Sequence, residues 1–381
     1  MTTLIPPPRS AQPSMQSRDL RARLIATSIA LAALLAPGCG KDSPVTPPGP
    51  SGPRPYLGIS ANADAFDPPD SIISAILTAR ATGAELIYQF SPWSSFEQGP
   101  GNFGTDELEP FFAGVQSVGF RIVVNFALIN TTVRETPADL NGLAWNDPVL
   151  LARFDTALDS LLSVMERHDC MALAIGNEVD AYFATHASEF PAYLELVGRG
   201  VRRAHAAIPG LAVGVTTISP VRSTNAAWGA QLNDSTDVAI YTYYPFQFAQ
   251  DFQVMPAATL DADFDAMSAS SPSRPWALQE IGYPSATSNG SSPAQQAEFM
   301  RRFQSRMARE SRDRLLFANW FLMSDWSSAT VWDLVTYYGG GSTPGFVGFL
   351  GSLGLRDTLG NGKPAWNEWK SGPWNPRLPR D

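Results

Sequence analysis

Two glutamates in this sequence each end an apolar run and stand before a turn. Glu178 closes "LAIGNE", and Glu280 closes "WALQE" ahead of a Gly-Tyr-Pro turn. Two carboxyl groups that face each other across a pocket are what cleavage of a glycosidic bond requires. One must protonate the leaving oxygen, and the other must be ionised to attack the anomeric carbon. Either Glu alone could equally cap a helix or pair with an Arg, but two in matching positions favour a catalytic pair.

These glutamates need a scaffold that brings the ends of distant segments together. The sequence contains eight strand-like apolar runs separated by helical patterns, which predicts a parallel sheet. The runs are "YLGIS", "AELIYQF", "FRIVVNFALI", "MALAIGN", "LAVGVTTI", "DVAIYTYY", "WALQEIG" and "LLFANWFLM". Eight such units in about 325 residues predict an α/β fold, a single (β/α)8 TIM barrel with a long loop after strand eight. An open doubly wound sheet is the alternative, but the loop "GISANADAF" lacks the Gly-rich phosphate turn typical of it.

In this count Glu178 ends strand four and Glu280 ends strand seven. Barrel enzymes keep their chemistry at the carboxyl ends of the strands, where the loops surround one common pocket. The two carboxyl groups are therefore expected to reach the same mouth from opposite parts of the chain.

An Asn-Glu pair ending strand four and a Glu ending strand seven resemble the signature of the retaining glycoside hydrolases of clan A, which are (β/α)8 barrels. The resemblance implies that Glu178 is the acid/base, that Asn177 binds the substrate 2-hydroxyl and that Glu280 is the nucleophile. It also implies a Tyr at the end of strand six that hydrogen-bonds the nucleophile. In "YTYYPF" we favour Tyr243, with Tyr241 on the same face of the strand.

Within the clan, "GNEV" and "EIGYPS" are similar to the motifs of the family-17 β-1,3-glucanases. "YYPF" also resembles the β-1,4-galactanases. Those galactanases and the large cellulase family keep His residues at strand ends, and this chain has none there, so the β-1,3-glucanase type is favoured. A second Asn-Glu pair, at 367–368, lies in a segment that resembles the closing part of clan members, and we assign it to the last helix.

Aromatic residues near strand ends are candidates for stacking on sugar rings. The resemblance implies that Trp320, at the end of strand eight, forms the floor of the subsite for the cleaved sugar. Trp93 after strand two and Trp326 after strand eight are further candidates. The alternative is that such aromatics pack the loops onto the barrel. The segment from about Ser324 to Lys363 is long for a connection, so we expect it to form a cleft wall or lid.

The N-terminus has the features of an exported protein. Arg18, Arg21 and Arg23 precede the apolar stretch "LIATSIALAALLA", which is too short for a permanent membrane span and ends in "APGCG". This end resembles a bacterial lipoprotein signal, in which Cys39 becomes the acylated N-terminus, although the Cys could be incidental. We expect a signal peptide over 1–38, a Pro/Gly/Ser-rich linker over 39–55 and a catalytic domain over 56–381. The protein would be lipid-anchored in the periplasm or at the cell surface, or otherwise secreted.

Composition narrows the function further. The chain carries a net charge of -9, and removing residues 1–38, with four Arg and one Asp, leaves -12, which argues against nucleic acid as a partner. Three scattered His argue against a histidine metal site or a Ser-His-Asp triad, and no cofactor is suggested. We expect a monomeric retaining hydrolase of neutral β-linked poly- or oligosaccharides. A transglycosylase using the same residues and a non-catalytic glycan-binding surface lipoprotein are the alternatives.

Overall fold

The computed structural model describes residues 53–62, 70–339, 341–372 and 374. Cys39, the predicted signal peptide and nearly all of the predicted linker lie outside these residues. In the part of the chain that is described, no helix is both long and apolar enough to cross a lipid bilayer.

In the described residues, eight parallel strands form the centre of the molecule, and each of the eight predicted apolar runs overlaps one of them. They are β1 (Tyr56–Ile59), β2 (Leu86–Pro92), β3 (Arg121–Asn130), β4 (Ala172–Asn177), β5 (Ala212–Ile218), β6 (Val238–Tyr243), β7 (Trp276–Ile281) and β8 (Leu315–Trp320). Each strand pairs with the next, and β8 pairs with β1, so the sheet closes on itself. The prediction of a (β/α)8 TIM barrel is confirmed.

In the part of the chain that is described, eight helices cover the outside of the barrel. They are α1 (Asp70–Ala81), α2 (Thr105–Ser117), α3 (Pro148–Arg167), α4 (Phe190–Ala207), α5 (Ala226–Asp234), α6 (Thr259–Ala269), α7 (Pro293–Met307) and α8 (Pro364–Ser371). Helices α3 and α7 begin after Asp147 and Ser292, because the side chains of these residues accept hydrogen bonds from backbone N–H groups of the first turn. The second Asn-Glu pair lies in α8, as expected.

The loops at the carboxyl ends of the strands carry short elements of their own. Two hairpins pair Glu97–Gly99 with Asn102–Phe103 and Phe246–Gln247 with Gln253–Val254, and Val133–Arg134 pairs with the end of β3. Short helices span Trp93–Phe96 and Val179–Phe183, and 3-10 turns span Ala138–Leu140, Ala187–Glu189, Phe248–Gln250 and Thr287–Asn289. The long connection from β8 to α8 contains helices Ser328–Tyr337 and Pro344–Ser352.

The core has two layers, separated by the barrel wall. An inner cluster fills the barrel, and a larger outer cluster lies between the strands and the helices. Because side chains alternate along a strand, Val238 and Ile240 of β6 belong to the inner cluster, whereas Ala239, Tyr241 and Tyr243 belong to the outer one. This alternation decides which strand-end residues can reach the site.

Candidate active site

Strand β7 contains a bulge immediately before Glu280. Leu278 pairs with Tyr241 and Glu280 pairs with Thr242, so two steps along β7 match one step along β6. A bulge interrupts the alternation of side chains and re-aims the residues that follow it. Gln279 accordingly extends into the barrel interior, and the next residue, Glu280, still reaches the barrel mouth.

Glu178 directly follows β4 and adopts a left-handed backbone conformation, with φ 47° and ψ 40°. Its carboxylate accepts hydrogen bonds from the hydroxyls of Thr242 at 2.6 Å and Thr131 at 2.7 Å. Thr131 is itself left-handed, with φ 54°, and such a conformation is costly for a β-branched residue. Two strained residues joined by one hydrogen bond are typical of a functional site. There, backbone strain is tolerated because it orients a side chain that the function needs.

Glu280 accepts a hydrogen bond of 2.7 Å from the hydroxyl of Tyr244. The prediction that Tyr243 makes this contact is wrong, because Tyr243 faces outward and its hydroxyl donates to Asp263. Tyr241 also faces outward, where its hydroxyl accepts from Asn233, so its predicted place in the site is wrong too. Counting the alternation from the interior residues 238, 240 and 242 leads to position 244, and that signal was present in the sequence.

The two carboxyl groups act on each other. Burial raises the pKa of both Glu178 and Glu280, and repulsion by Glu178 contributes to raising the pKa of Glu280 to about 8. Among the described residues, the groups that shift these two pKa values are hydroxyl, amide or carboxyl groups, with no cation among them. Two close carboxylates without a counter-ion resist double ionisation, so the pair holds one proton near neutral pH.

Asn177 lies beside the pair and is only 6% exposed. Its Oδ1 accepts from Gln279 Nε2 at 2.6 Å, and its Nδ2 donates to Asn130 Oδ1 at 2.9 Å. Gln279 is held in turn by Asn125 Nδ2 at 2.8 Å and by the hydroxyl of Thr216 at 2.6 Å. This network fixes the amide of Asn177 and leaves it one N–H for another partner. Its binding to a sugar 2-hydroxyl stays a prediction.

Two of the predicted sugar-binding tryptophans point away from the mouth, so both predictions are wrong. Trp320 is fully buried and packs on Phe299 and Phe303 of α7, because Asn319 takes the inward position of β8. Trp93 is also fully buried, and its Nε1 donates to Glu97 at 2.9 Å. Both residues belong to the packing between the barrel and its outer layer.

Trp326 lies at the mouth and is partly exposed. It meets Phe321 edge-on at 5.4 Å, and Phe321 packs against the cluster that contains Tyr244. The connection after β8 also brings Tyr337 and Tyr338 to the mouth, and sequence reasoning did not place them in the site. A sugar contact by Trp326 stays a prediction.

The described residues contain no group of three or more His, Cys, Asp or Glu side chains that could hold a metal ion. The site therefore consists of two carboxyl groups, an amide network and several hydroxyls. These groups can donate a proton, accept a proton and attack an electrophilic carbon.

The sequence matches no protein-family model and no curated protein. Among solved structures, a GH5_18 protein from Streptomyces cattleya in complex with GlcNAc matches with a TM-score of 0.67 and 16% identity, over 86% of this chain and 82% of that chain. The exo-β-1,4-mannosidase Op5Man5 from Opitutaceae bacterium strain TAV5 matches with a TM-score of 0.64 and 15% identity, over 83% of this chain and 58% of that chain. Bacteroides uniformis β-glucuronidase 2 matches with a TM-score of 0.60 and 12% identity, over 86% of this chain and 36% of that chain.

Identities this low show a shared fold. The GH5_18 neighbours are clan A glycoside hydrolases with a TIM barrel. The structures found do not support the prediction that the family-17 β-1,3-glucanases are nearest to this chain.

Proposed function

We propose that this protein is a retaining glycoside hydrolase that cleaves neutral β-linked sugars with Glu178 and Glu280. The observation that carries the proposal is the meeting of two half-buried carboxyl groups at one barrel mouth, close enough for the charge of one to raise the pKa of the other. Retaining glycosidases need such a pair, with one group protonated and the other ionised. The fold shared with clan A enzymes adds support.

The proposed reaction has two steps. In the reactive form the single proton of the pair is on Glu178, which donates it to the glycosidic oxygen while the carboxylate of Glu280 attacks the anomeric carbon, so the C–O bond breaks and a sugar ester forms on Glu280. Glu178, now ionised, takes a proton from water as that water attacks the same carbon and releases Glu280. Water and glycoside become a free sugar and an alcohol, and the enzyme returns to its starting protonation state.

A neutral sugar fits the electrostatics of the site. The carboxylate of a uronic acid needs a cation or several donors, and no cation acts on the pKa values of the two glutamates among the described residues. The carboxyl pair would repel such a sugar. β-Mannosides lead the candidates, because a GH5_18 relative was solved with Manβ1-4GlcNAc and another relative is an exo-β-1,4-mannosidase. The motif resemblance keeps β-1,3-glucan as the second candidate.

The test uses the full chain and aryl β-glycosides of mannose, glucose, galactose and glucuronic acid, with laminarin and mannan alongside. We expect turnover of a neutral glycoside with retention of configuration, followed by NMR. Glu280→Gln should reduce kcat/KM by more than about 10³-fold, and Glu178→Gln should spare substrates with activated leaving groups. Tyr283→Phe, which loses one hydroxyl contact outside the site, is the control. Wild-type rates in both glutamate variants would refute the proposal.

The N-terminal features support a second proposal, that the enzyme is exported and anchored through lipid on Cys39. Metabolic labelling with a fatty-acid analogue should mark the wild-type chain, whereas Cys39→Ala should remove the label and release the protein from the membrane fraction. Equal labelling of both chains would contradict the lipid anchor.

A further inference from the structure

Residues 328–338, which follow β8, cross the barrel mouth to the loop after β3, and we call this segment the mouth bridge. In the closed sheet, β8 and β3 are separated by β1 and β2. We propose that the mouth bridge closes the β1–β2 side of the site, so that the enzyme removes only the terminal sugar of a glycan. This inference rests on the proposed function and specifies how that site selects its substrate.

The segment just before the mouth bridge is tied to the loop after β1. Asn62 Nδ2 donates to the backbone oxygen of Ser324 at 2.7 Å, and the N–H of Ser324 donates back to Asn62 Oδ1 at 2.9 Å. The N–H of Met323 also donates to the oxygen of Ser60 at 3.0 Å. The chain thus leaves β8 already held against the neighbouring loop, and the bridge starts from a fixed point.

The far end is anchored on the loop after β3. The hydroxyl of Tyr337 accepts from Asn130 Nδ2 at 3.0 Å and donates to the carboxylate of Glu135, which is 1% exposed. The hydroxyl of Ser94, from the loop after β2, donates to the same carboxylate. The helix Ser328–Tyr337 has ten residues and is about 15 Å long, which suits a span between two strands that have two others between them. A buried carboxylate therefore fixes the bridge on the opposite side of β1 and β2.

Directly after its far anchor, the mouth bridge reaches the catalytic pair through Tyr338. Tyr338 packs against Tyr337 with ring centroids 4.8 Å apart. After burial, the charges of Glu178 and Glu280 are the largest causes that raise the pKa of Tyr338, which places its hydroxyl near both. Tyr88 on β2 also interacts electrostatically with Tyr338. The bridge therefore covers the pair from the β2 side.

The position of the proton donor decides on which side of the scissile bond the mouth bridge restricts the length of the substrate. Glu178, at the end of β4, must lie beside the glycosidic oxygen, so the leaving group lies on the β4 side of the pair. The cleaved sugar then lies between Glu280 and the β1–β2 side. A second sugar, attached to the non-reducing end of the cleaved sugar, would have to occupy space that the mouth bridge and Tyr338 already fill. Only a terminal sugar fits without moving the bridge.

Apolar packing holds the bridge in place. Val331, Leu334 and Val335 form one buried cluster with Leu350 of the helix Pro344–Ser352. That helix also packs, through Phe349, on Tyr244 with ring centroids 5.0 Å apart. The bridge is thus continuous with the wall that carries the hydroxyl partner of Glu280, and a rigid wall restricts substrate length more strictly than a mobile loop.

The experiment compares two tetrasaccharides of the glycan that the panel identifies, one with a free non-reducing end and one with that end capped by a 4,6-acetal. Wild-type enzyme should release monosaccharide from the free substrate and cleave the capped one at least about 100-fold more slowly, a difference of about 3 kcal/mol. Tyr337→Phe keeps the ring and loses both hydrogen bonds of the far anchor. It should raise the rate on the capped substrate at least about tenfold relative to the free one.

Tyr283→Phe is the matched control and should leave this ratio unchanged. Equal wild-type rates on capped and free substrates, with aryl glycoside turnover intact, would overturn the terminal-sugar inference and leave the proposed function standing. No increase in Tyr337→Phe, and none in Glu135→Gln as a second variant, would overturn the role of the bridge. A wild-type chain inactive on every aryl glycoside would instead overturn the proposed function itself.

Discussion

The hydroxyl of Tyr244 is the only hydroxyl that the structure places in hydrogen-bond contact with Glu280 among the described residues, and its removal gives a quantitative test. A hydrogen bond to a charged group contributes about 1.5–3 kcal/mol, and 1.36 kcal/mol corresponds to about one pKa unit. The bond stabilises the ionised form of Glu280, so Tyr244→Phe should raise the pKa of the first ionisation of the pair, which makes Glu280 a carboxylate while Glu178 keeps the proton. The acid limb of kcat/KM should move upward by about one to two pH units.

The assay is kcat/KM for an aryl β-glycoside from about pH 5 to about pH 10, because that parameter reports the ionisation of the free enzyme. Well below the limb, the variant should be about 10–100-fold slower, and it should recover as the pH rises. Tyr243→Phe is a sharp control, since this neighbouring hydroxyl bonds Asp263 on the outside of the barrel. A shifted limb in Tyr243→Phe with an unshifted limb in Tyr244→Phe would refute the assignment.

Two further predictions concern charge. Glu178→Gln removes the negative charge that raises the pKa of Glu280, so the pKa of Glu280, followed by NMR titration, should fall below the wild-type value of about 8, and an unchanged pKa would contradict coupling between the two groups. Lys363→Met leaves Asp325, its buried partner at 2.7 Å, without a counter-ion, and urea denaturation should show a loss of about 3 kcal/mol or more in the free energy of unfolding. Arg302→Met breaks only exposed ion pairs and should cost less than about 1 kcal/mol, so an equal loss in both variants would contradict this reasoning.

Much of the fold was predictable because its signals are local. Each barrel strand is buried on both sides and therefore appears as one apolar run, and Asp147 and Ser292 mark helix starts through their own side chains. The ends of strands β4 and β7 follow from these runs, so the positions of Glu178 and Glu280 at one mouth could be derived by counting. Helix α5 is harder to predict from the sequence, because it has a weaker apolar pattern and is shorter than its neighbours.

Which way a side chain faces was harder to derive. The bulge in β7 arises from its pairing with β6 and β8, and no residue in "WALQEIG" indicates it. Tyr243 and Tyr244 are adjacent and chemically identical, so only the alternation measured from the barrel interior separates the outward residue from the inward one. The prediction for Trp320 was wrong for the same reason. Asn319 holds the inward position of β8, so Trp320 faces outward.

By itself, the sequence determined the barrel, the two glutamates at its mouth and the amide next to one of them. The tertiary structure alone decided that Thr131 and Thr242 hold Glu178, that Tyr244 bonds Glu280 and that Tyr337 reaches Glu135 across the mouth. Strand and helix periodicity is written into neighbouring residues, whereas these contacts join residues that are between 36 and 202 positions apart. Such contacts exist only once the barrel has closed.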